Sequence, residues 1–358
     1  MRSRNDSIKY MKKTIAVLGG DGAGPEITEQ GVKVLNKVAK KFGHTFIFKE
    51  GLVGANAYDK VGDSFPKETF DLCVKADAIL FGSVGDPKYD NTPKDPLKGL
   101  LQMRKQLGLY ANIRPIYAFE AASKKSPLRP EVTKGTDFVV VRELIGGIYF
   151  GKKGRNKDRT SAYDTMEYST AEIERIVHFA YKLAQKRRNK LTMVDKSNVL
   201  ETSRLWREVT MRIAREYSDV ETDYLLVDNA AMQILKRPAT FDVIVTENTF
   251  GDILTDEASV ITGSLGMLPS ASIGEKTSLY EPIAGSFPRA AGKNYANPTG
   301  SILSAAMLLD YSFGLKEESK AIFKAVERVL EHGYGTKDIA TDKVLGTREF
   351  GDRVAGEI

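Results

Sequence analysis

The chain has 358 residues, of which 42% are hydrophobic and 28% are charged. At about 100–200 residues per domain this length suggests two domains, and the apolar fraction excludes wholesale disorder. No run approaches the ~20 apolar residues of a membrane span, and residues 1–13 lack the apolar segment of a secretory signal. The single cysteine, Cys73, excludes an internal disulfide framework and predicts a reducing compartment, the cytoplasm.

The charge balance favours a small anionic substrate over a nucleic acid or a membrane. Lysine and arginine together number 53, against 47 aspartates and glutamates, which gives a net charge of +6. The basic runs are short, such as 186–188, and basic patches alone are weak evidence for nucleic-acid binding. Three histidines do not favour a histidine-centred metal site or catalytic triad.

In chain order, residues 1–12 are expected to form a disordered tail, and short apolar runs then predict buried strands. These runs are 14–18, 78–81, 138–141, 191–194 and 242–245. Apolar residues at helical spacing predict helices at about 25–41, 97–107, 170–188, 203–217, 229–236 and 316–332. Strands that alternate with helices are typical of an α/β protein with much parallel sheet. No repeat or linker divides the chain. We therefore expect any second domain to be formed by a middle part of the chain, which leaves the first domain and later returns to it.

The glycine-rich segment 19–26 follows the first predicted strand but fits neither standard phosphate-binding motif. The dinucleotide fingerprint G-x-G-x-x-G would begin at Gly20 and Gly22, and Pro25 then stands where the third glycine belongs. A P-loop is also missing, because segment 274–277 carries a glutamate before its lysine. The segment is therefore either a tight turn or a ligand-binding loop of another kind.

Asp252 and Asp256 form the first candidate site. Four residues apart on a helix, their carboxylates share one face, where two like charges are unfavourable unless a cation lies between them. Such hard oxygen ligands suit Mg²⁺ or Mn²⁺. Asp228, after the apolar run 224–227, is a candidate third ligand. The alternative is a helix N-terminus that uses acidic residues against its dipole.

Three arginines supply the complementary charge. Arg104 ends an amphipathic stripe, Arg114 follows ten residues later, and Arg142 comes directly after a predicted strand. Guanidinium groups bind carboxylates with two hydrogen bonds, so the three beside a dication would suit a substrate with several carboxylates. The alternative for each is a surface ion pair. Tyr149 and Lys196 are candidates for acid–base catalysis.

Together these segments resemble the isocitrate/isopropylmalate family of β-decarboxylating dehydrogenases, which act on 2-hydroxy acids. The segments that carry the resemblance are 20–26, 82–87, 99–105, 111–115, 141–151, 195–200, 250–256 and 263–271. The resemblance implies a two-domain α/β fold with an open mixed sheet, distinct from the Rossmann fold. Residues 13–109 with 263–358 would form a cofactor-binding domain. Residues 110–262 would form a second domain that dimerises and holds the metal and catalytic residues.

The resemblance also implies a reaction and a set of residue roles. The reaction is oxidative decarboxylation of 3-isopropylmalate to 4-methyl-2-oxopentanoate, with hydride transfer to NAD, in leucine biosynthesis. It would take place in a homodimer with shared active sites. The implied roles are substrate binding by Leu100, Leu101, Arg104, Arg114, Arg142 and the partner's Val199; Mg²⁺ or Mn²⁺ binding by Asp252, Asp256 and the partner's Asp228; proton transfer by Tyr149 and the partner's Lys196; and cofactor binding by Glu281, Gly285, Ser286, Arg289 and Asn297.

Three residues depart from the family pattern. Leu97 replaces a glutamate near the nicotinamide, and Ala284 replaces a histidine that many members carry. Arg289 stands where NAD-specific members have an aspartate that binds the ribose hydroxyls. An arginine there could accept the 2′-phosphate of NADP, so both cofactors remain open, with NAD favoured. Leu97 leaves room for a different 3-alkylmalate.

Other functions remain as alternatives. A relative that acts on D-malate, tartrate or homoisocitrate would carry a polar group on the helix at 97–104, and none is evident there. A non-catalytic subunit would lack Tyr149, Lys196 or one of the aspartates, all of which are present. A nucleic-acid binder would show affinity that falls steeply with salt.

Overall fold

The computed structural model describes residues 10–90, 92 and 96–358. The strands are β1 (Lys12–Gly20), β2 (Thr45–Glu50), β3 (Ala78–Ser83), β4 (Leu109–Tyr117), β5 (Asp137–Glu143), β6 (Lys153–Arg155), β7 (Ala162–Asp164), β8 (Lys190–Asp195), β9 (Glu221–Leu226), β10 (Val243–Thr246), β11 (Pro269–Gly274), β12 (Leu279–Pro282), β13 (Tyr334–Gly335) and β14 (Lys343–Val344). The helices are α1 (Gly24–Phe42), α2 (Gly54–Val61), α3 (Lys67–Lys75), α4 (Pro96–Gln106), α5 (Glu120–Ser123), α6 (Pro130–Thr133), α7 (Thr170–Gln185), α8 (Glu201–Ala214), α9 (Val227–Lys236), α10 (Asn248–Thr262), α11 (Thr299–Tyr311), α12 (Lys316–Glu331) and α13 (Thr347–Glu357).

Ten strands form one open mixed sheet in the order β2-β1-β3-β12-β11-β4-β5-β10-β8-β9. The strands β2, β1, β3 and β12 are parallel, as are β5, β10, β8 and β9. Between the two groups, β12, β11, β4 and β5 pair antiparallel. The α/β class and the open mixed sheet are therefore confirmed, and the strand order is not that of a Rossmann fold.

The chain ends and the chain middle build different halves of this sheet. Strands β1–β3, β11 and β12 come from the two ends of the chain, while β4, β5 and β8–β10 come from residues 109–246. The division into domains at 13–109 with 263–358 and at 110–262 stays a prediction. Of the predicted tail, residues 1–9 lie outside the described residues, and β1 begins at Lys12.

Every predicted strand and helix is present, but several elements lack a sequence signal. Helix α11 is buried on nearly every side, so it shows no amphipathic period from which to predict it. Strand β4 carries a buried asparagine and a buried arginine among its apolar residues, which obscures the strand pattern. No helix in the described ranges is long and apolar enough to cross a membrane.

The glycine-rich segment is a tight turn that joins strand ends. Gly20 and Gly22 have positive φ angles of 74° and 59°. A Cβ on either residue would lie 2.0 Å from a backbone carbonyl oxygen, that of Ser83 or Ser286 respectively. Only glycine satisfies both constraints, because L-residues with a side chain rarely adopt this conformation and these contacts leave no room for one.

Asp21, between these glycines, holds three neighbouring segments together. Its buried carboxylate accepts hydrogen bonds from the backbone N–H groups of Ala55, Asn56 and Gly85, each at 2.8 Å. Within the segment itself, the backbone N–H groups of Asp21 and Ala23 donate to the carbonyl oxygens of Ser83 and Ser286 at 2.7 and 2.8 Å, so they are bonded to the chain rather than directed at a ligand. The segment therefore acts as a structural junction at the carboxyl ends of β1 and β3.

Glu143 plays the corresponding part at the end of β5. Its carboxylate, 1% exposed, accepts hydrogen bonds from the backbone N–H groups of Ile145 and Gly146 at 3.0 and 2.8 Å. Burial raises the pKa of Glu143 from 4.5 to about 7. These bonds fix the start of the turn that follows β5.

Substituting Asp21→Ala is expected to lower the free energy of unfolding by about 2–4 kcal/mol, because one buried and two partly buried N–H groups lose their acceptor. Urea unfolding would measure the loss. The matched control is Asp71→Ala, which removes only an i,i+4 ion pair with the exposed Lys67 and should change little. Equal losses in the two variants would contradict the junction role of Asp21.

The pH dependence of stability is expected to change on substituting Glu143→Gln. The folded-state pKa of Glu143 is raised, so its favourable contribution is present below about pH 4.5 and is lost as the pH rises through about 7. The Tm of Glu143→Gln relative to the unchanged protein should therefore rise between about pH 5 and about pH 8. Calorimetry at both pH values measures this, and a constant difference in Tm would contradict it.

Candidate active site

Helix α10 carries the two candidate metal ligands. Its first turn is capped by the Glu247 carboxylate, which accepts hydrogen bonds from the backbone N–H groups of Thr249 and Phe250 at 3.0 and 2.6 Å. Asp252 and Asp256 lie one and two turns further along, and the first turn contains no acidic residue. Since the helix dipole acts within the first turn, the alternative of acids placed against the dipole does not describe this pair.

Two predicted arginines reach these aspartates from the sheet. Arg142 at the end of β5 donates a hydrogen bond to Asp252, and Arg114 on β4 lies 3.5 Å from Asp252 and 3.7 Å from Asp256. The side chains of Arg114 and Arg142 are only 8% and 2% exposed. Both arginines are buried although the carboxylates of Asp252 and Asp256 are 39% and 60% exposed, so neither arginine lies in a surface ion pair.

Arg104 joins this group from α4. Its Nη2 lies 3.5 Å from Oε1 of Glu281, and both side chains are 11% exposed. Arg104, Arg114, Glu281 and Leu100 together line a cavity of about 110 Å³. A larger cavity of about 590 Å³ lies between α1, α2 and α3, but no arginine lines it. The smaller cavity is therefore the one suited to carboxylates.

The arginines and Asp252 shift one another's proton affinity. Burial, followed by the charge of Arg114, lowers the pKa of Arg142 to about 9, which leaves it protonated at neutral pH. Burial alone would raise the pKa of Asp252, but the nearby Arg142 and Arg114 outweigh it and lower that pKa. Burial raises the pKa of Asp256. Adjacent buried cations gain stabilisation from any added anion, so the cavity favours a polycarboxylate.

Tyr149 lies in a 3-10 turn, Gly147–Tyr149, within reach of the same aspartate. Its hydroxyl donates a hydrogen bond to Oδ2 of Asp252 at 3.1 Å, and the Arg142 guanidinium lies 5.9 Å from its ring centroid. Burial and the Asp252 charge raise the pKa of Tyr149. The phenol therefore keeps its proton at neutral pH, as a general acid requires.

Lys196, Val199 and Asp228 form a second cluster at the carboxyl ends of β8 and β9. Nζ of Lys196 lies 2.5 Å from Oδ1 of Asp228, and this bond lowers the pKa of Asp228. Val199 and the Asp228 side chain are exposed by 60% and 62%. Within the described residues of one chain, no three acidic, histidine or cysteine side chains are grouped to hold a metal ion. Asp228 is thus not grouped with Asp252 and Asp256.

Asp252 and Asp256 present their carboxylate oxygens on one exposed helix face. Such hard oxygen ligands are the kind that Mg²⁺ and Mn²⁺ prefer. Two carboxylates fall short of the six oxygen ligands that such ions take, and further ligands must come from water, substrate or another chain. The metal prediction is therefore chemically compatible with this chain, and it requires a contribution from outside it.

The candidate cofactor residues lie mainly in the segment after β12. Ser286 accepts a hydrogen bond from the backbone N–H of Ala23 at 2.8 Å, which joins this segment to the glycine-rich turn. Arg289 is exposed, and its guanidinium has no hydrogen-bond or ion-pair partner in the described part of the chain. Nδ2 of Asn297 donates to Asp338 at 2.9 Å. Glu281 differs from the other candidate cofactor residues, because its side chain contacts Arg104 in the cavity that the arginines line.

The structure refines the predicted substrate wall and reveals residues that sequence reasoning missed. Leu100 lines the cavity with the arginines, whereas Leu101 is not among the lining residues. Asn112 and Asn248, both buried, bond the side chains of Arg114 and Arg142. The one available signal was Asn112, two residues before Arg114 on a strand and therefore on the same face.

Known proteins resemble this chain over nearly its whole length. The family profile described as isocitrate/isopropylmalate dehydrogenase matches residues 14–354. A 3-isopropylmalate dehydrogenase of Bacteroides fragilis is 54% identical over 345 residues, which are 96% of this chain and 96% of that protein. A 3-isopropylmalate dehydrogenase of Aquifex aeolicus is 52% identical over 352 residues, which cover 96% of this chain and 97% of its own.

Solved structures agree with these relatives. An isocitrate dehydrogenase from Methylococcus capsulatus superposes with a TM-score of 0.88 at 33% identity, covering 96% of this chain and 99% of that one. A β-decarboxylating dehydrogenase from Thermococcus kodakarensis, in its apo form, gives a TM-score of 0.80 at 33% identity and covers 96% of both chains. On sequence and fold, the chain belongs to the isocitrate/isopropylmalate dehydrogenase family.

Proposed function

We propose that this enzyme catalyses the oxidative decarboxylation of 3-isopropylmalate to 4-methyl-2-oxopentanoate, a step of leucine biosynthesis. The observation that carries the proposal is the convergence of Arg104 and Arg114 in one cavity beside the apolar Leu100, with Arg142 next to them on β5. A substrate with two carboxylates and one branched apolar group matches that lining. The relatives at 54% and 52% identity carry the name of the same activity.

The reaction divides among side chains of the site. Arg104, Arg114 and Arg142 bind the two carboxylates and fix the orientation of the carbon that loses hydride. The partner subunit's Lys196 accepts the hydroxyl proton of that carbon, and a bound nicotinamide cofactor would supply the hydride acceptor. The carboxylate β to the new ketone then leaves as CO₂, and Tyr149 delivers a proton to the carbon left behind.

Asp252 and Asp256, with the partner subunit's Asp228, would hold Mg²⁺ or Mn²⁺. When bound, the ion supplies Lewis-acid polarisation of the substrate oxygen and stabilises negative charge that develops on it. Asp252 also accepts hydrogen bonds from Arg142 and Tyr149, so the substrate clamp, the proton donor and the metal ligand meet at one carboxylate.

The nicotinamide cofactor is proposed to be NAD, bound along Gly285, Ser286, Arg289 and Asn297. Arg289 is the specific observation that favours NADP instead. Its exposed guanidinium, which has no partner among the residues that the structure describes, could bind a 2′-phosphate with two hydrogen bonds. The two cofactors differ only in this phosphate, so a single residue could decide between them.

The active form is proposed to be a homodimer with shared sites. Lys196 and Asp228 lie in a cluster of their own, apart from the aspartates of α10 that they would serve. The loop after β8, which begins at Lys196, and helices α8 and α9 expose Val199, Met211 and Met232 by 53–60%. Large exposed apolar side chains are frequent at interfaces. A second copy that covers them would bring its Lys196 and Asp228 to this chain's Asp252.

The working compartment is proposed to be the cytoplasm. Cys73, the only cysteine of the chain, is buried in α3, and burial raises the pKa of its thiol to about 12. Such a thiol is a poor nucleophile and takes no part in disulfide exchange at neutral pH. The fold therefore depends on no disulfide, as suits a reducing environment.

Initial rates with 3-isopropylmalate, Mn²⁺ and NAD test the activity. Substituting Arg104→Ala should lower kcat/KM at least about tenfold, a loss of about 1.4 kcal/mol of transition-state binding. Lys105→Ala, an exposed change on the same helix, is the matched control and should leave the rate unchanged. A folded protein without turnover of this substrate with either cofactor would overturn the assignment and point to D-malate or homoisocitrate.

Parallel titrations with NAD and NADP test the cofactor. If NAD is used, substituting Arg289→Asp should lower KM for NAD, because the carboxylate can accept hydrogen bonds from the ribose hydroxyls. If the unchanged enzyme prefers NADP, the same substitution should raise KM for NADP at least about tenfold, because it places a negative charge beside the phosphate. A preference for NADP would contradict the NAD proposal and leave the rest of the reaction intact.

Mixing two inactive variants tests the shared site. Lys196→Ala and Asp252→Asn should each be inactive alone. In a shared-site dimer, a mixed pair has one site with both changes and one intact site. Refolding the variants together in equal amounts should restore about one quarter of normal activity, since about half of the dimers are mixed. No recovery, with mixed dimers demonstrated by mass, would contradict sharing.

A further inference from the structure

We propose that two buried asparagines, Asn112 and Asn248, are positioning residues for the dicarboxylate. Each holds one substrate arginine by its Nε and thereby aims the guanidinium, without neutralising its charge. The proposal rests on the function given above and deepens it, because it names what sets the affinity of the site for a doubly charged substrate.

Asn112 reaches Arg114 along the same strand. Two residues apart on β4, they point to the same face of the sheet. Oδ1 of Asn112 accepts a hydrogen bond from Nε of Arg114 at 2.6 Å, and Nδ2 donates to Oγ of Ser272 at 3.0 Å. Asn112 has no exposed surface. Its register partners are Ser272 on β11 and Arg142 on β5, so it stands between the supporting serine and the second arginine.

Asn248 holds Arg142 from the first residue of α10. Its Oδ1 accepts hydrogen bonds from both Nε and Nη2 of Arg142, at 3.0 and 2.8 Å. Its Nδ2 donates to the backbone carbonyl of Gly146 at 3.1 Å, and its backbone N–H donates to the Tyr168 hydroxyl at 3.0 Å. Asn248 is 1% exposed. It therefore ties Arg142 to the turn that carries Tyr149.

The partners of each amide determine which way its acceptor oxygen points. For Asn112, Nε of Arg114 can only donate, so it faces Oδ1. The bond from Nδ2 of Asn248 to a carbonyl, which can only accept, directs Oδ1 toward the arginine. Arg104 offers a contrast, because its Nε is buried without a hydrogen-bond partner in the described residues. Arg114 and Arg142 are thus preorganised, whereas Arg104 has a hydrogen bond from Nη2 alone within the described part of the chain.

The charge of the arginines explains why a neutral amide, rather than a carboxylate, stands beside each of them. An aspartate at either position would also accept from Nε, and would do so more strongly. It would, however, place a full negative charge against an arginine whose task is to attract a carboxylate. An asparagine satisfies the buried Nε and leaves the positive charge available to the substrate.

Asn112→Asp is the decisive variant. The Ser272 hydroxyl can rotate to donate to the new carboxylate, so the fold should be kept, with a Tm no lower than that of the unchanged protein. The KM for 3-isopropylmalate and its calorimetric Kd, measured with Mn²⁺, should nevertheless rise at least about tenfold, because the arginine charge is cancelled. The kcat should change less. A residue with a merely structural role would show no such split.

Asn112→Ala and Asn248→Ala test positioning itself. Each should raise KM for 3-isopropylmalate about tenfold, because its arginine loses the acceptor that aims it. If the effect passes through the arginine, adding Asn112→Ala to Arg114→Ala should weaken substrate binding no further. Additive losses would overturn the proposal. Gln30→Ala is the control, since this buried amide donates only to a backbone carbonyl within α1, and substrate KM should not change.

The outcomes separate the two proposals. An unchanged protein that neither binds nor turns over 3-isopropylmalate would overturn the proposed function and, with it, the substrate named here. An unchanged protein that binds this substrate, together with folded Asn112→Asp and Asn248→Ala variants that bind it equally well, would overturn positioning alone. If an alanine variant fails to fold, Asn112→Asp still tests the proposal, because aspartate has nearly the size of asparagine and can accept the same hydrogen bond from Arg114.

Discussion

The burial of Arg114 and Arg142 side by side is the constraint on which the rest of the site depends. Two guanidinium groups that are nearly inaccessible to water repel each other and lose hydration, so the surrounding structure must supply acceptors. It does so with neutral oxygens at Nε, from Asn112 and Asn248, and with the carboxylate of Asp252 at the tips. At their tips the two cations thus share the single carboxylate of Asp252, and this local excess of positive charge suits a bound anion.

The sheet explains how these groups come to meet. Its two parallel halves run in opposite directions and join through antiparallel pairs, so β4 and β5 lie next to each other in the middle. Asn112 and Arg142 are direct register partners there, and Arg114 follows on the same face two residues later. Helix α10 packs over that face through Leu254, Ala258 and Ile261, and its Asp252 and Asp256 lie within reach of the arginines. One register error between β4 and β5 would turn the arginines away from the helix.

The sequence predicts this architecture unevenly, for physical reasons. Apolar strands such as 138–141 and amphipathic helices can be predicted from their sequence patterns. Helix α11 is buried on nearly every side, so its sequence shows no amphipathic pattern. Charged site residues could be found because arginines and aspartates are conspicuous near apolar strands. Asn112 and Asn248 could not, because a neutral amide shows its role only through its partners. Spacing also could not reveal that Lys196 and Asp228 lie apart from Asp252, and the roles of all three remain proposals.

The net charge of the site indicates which substrate it suits. Three arginines at 104, 114 and 142 face three carboxylates, those of Asp252, Asp256 and Glu281, and the Lys196–Asp228 pair is neutral in itself. The site is therefore balanced before anything binds. A dication alone or a dicarboxylate alone would leave two uncompensated charges in a partly buried space, while both together restore neutrality. A substrate with a third carboxylate would break that balance, and the apolar side of the cavity at Leu100 offers such a group no partner. We therefore expect Leu100 to select an apolar substituent and charge neutrality to select the number of carboxylates.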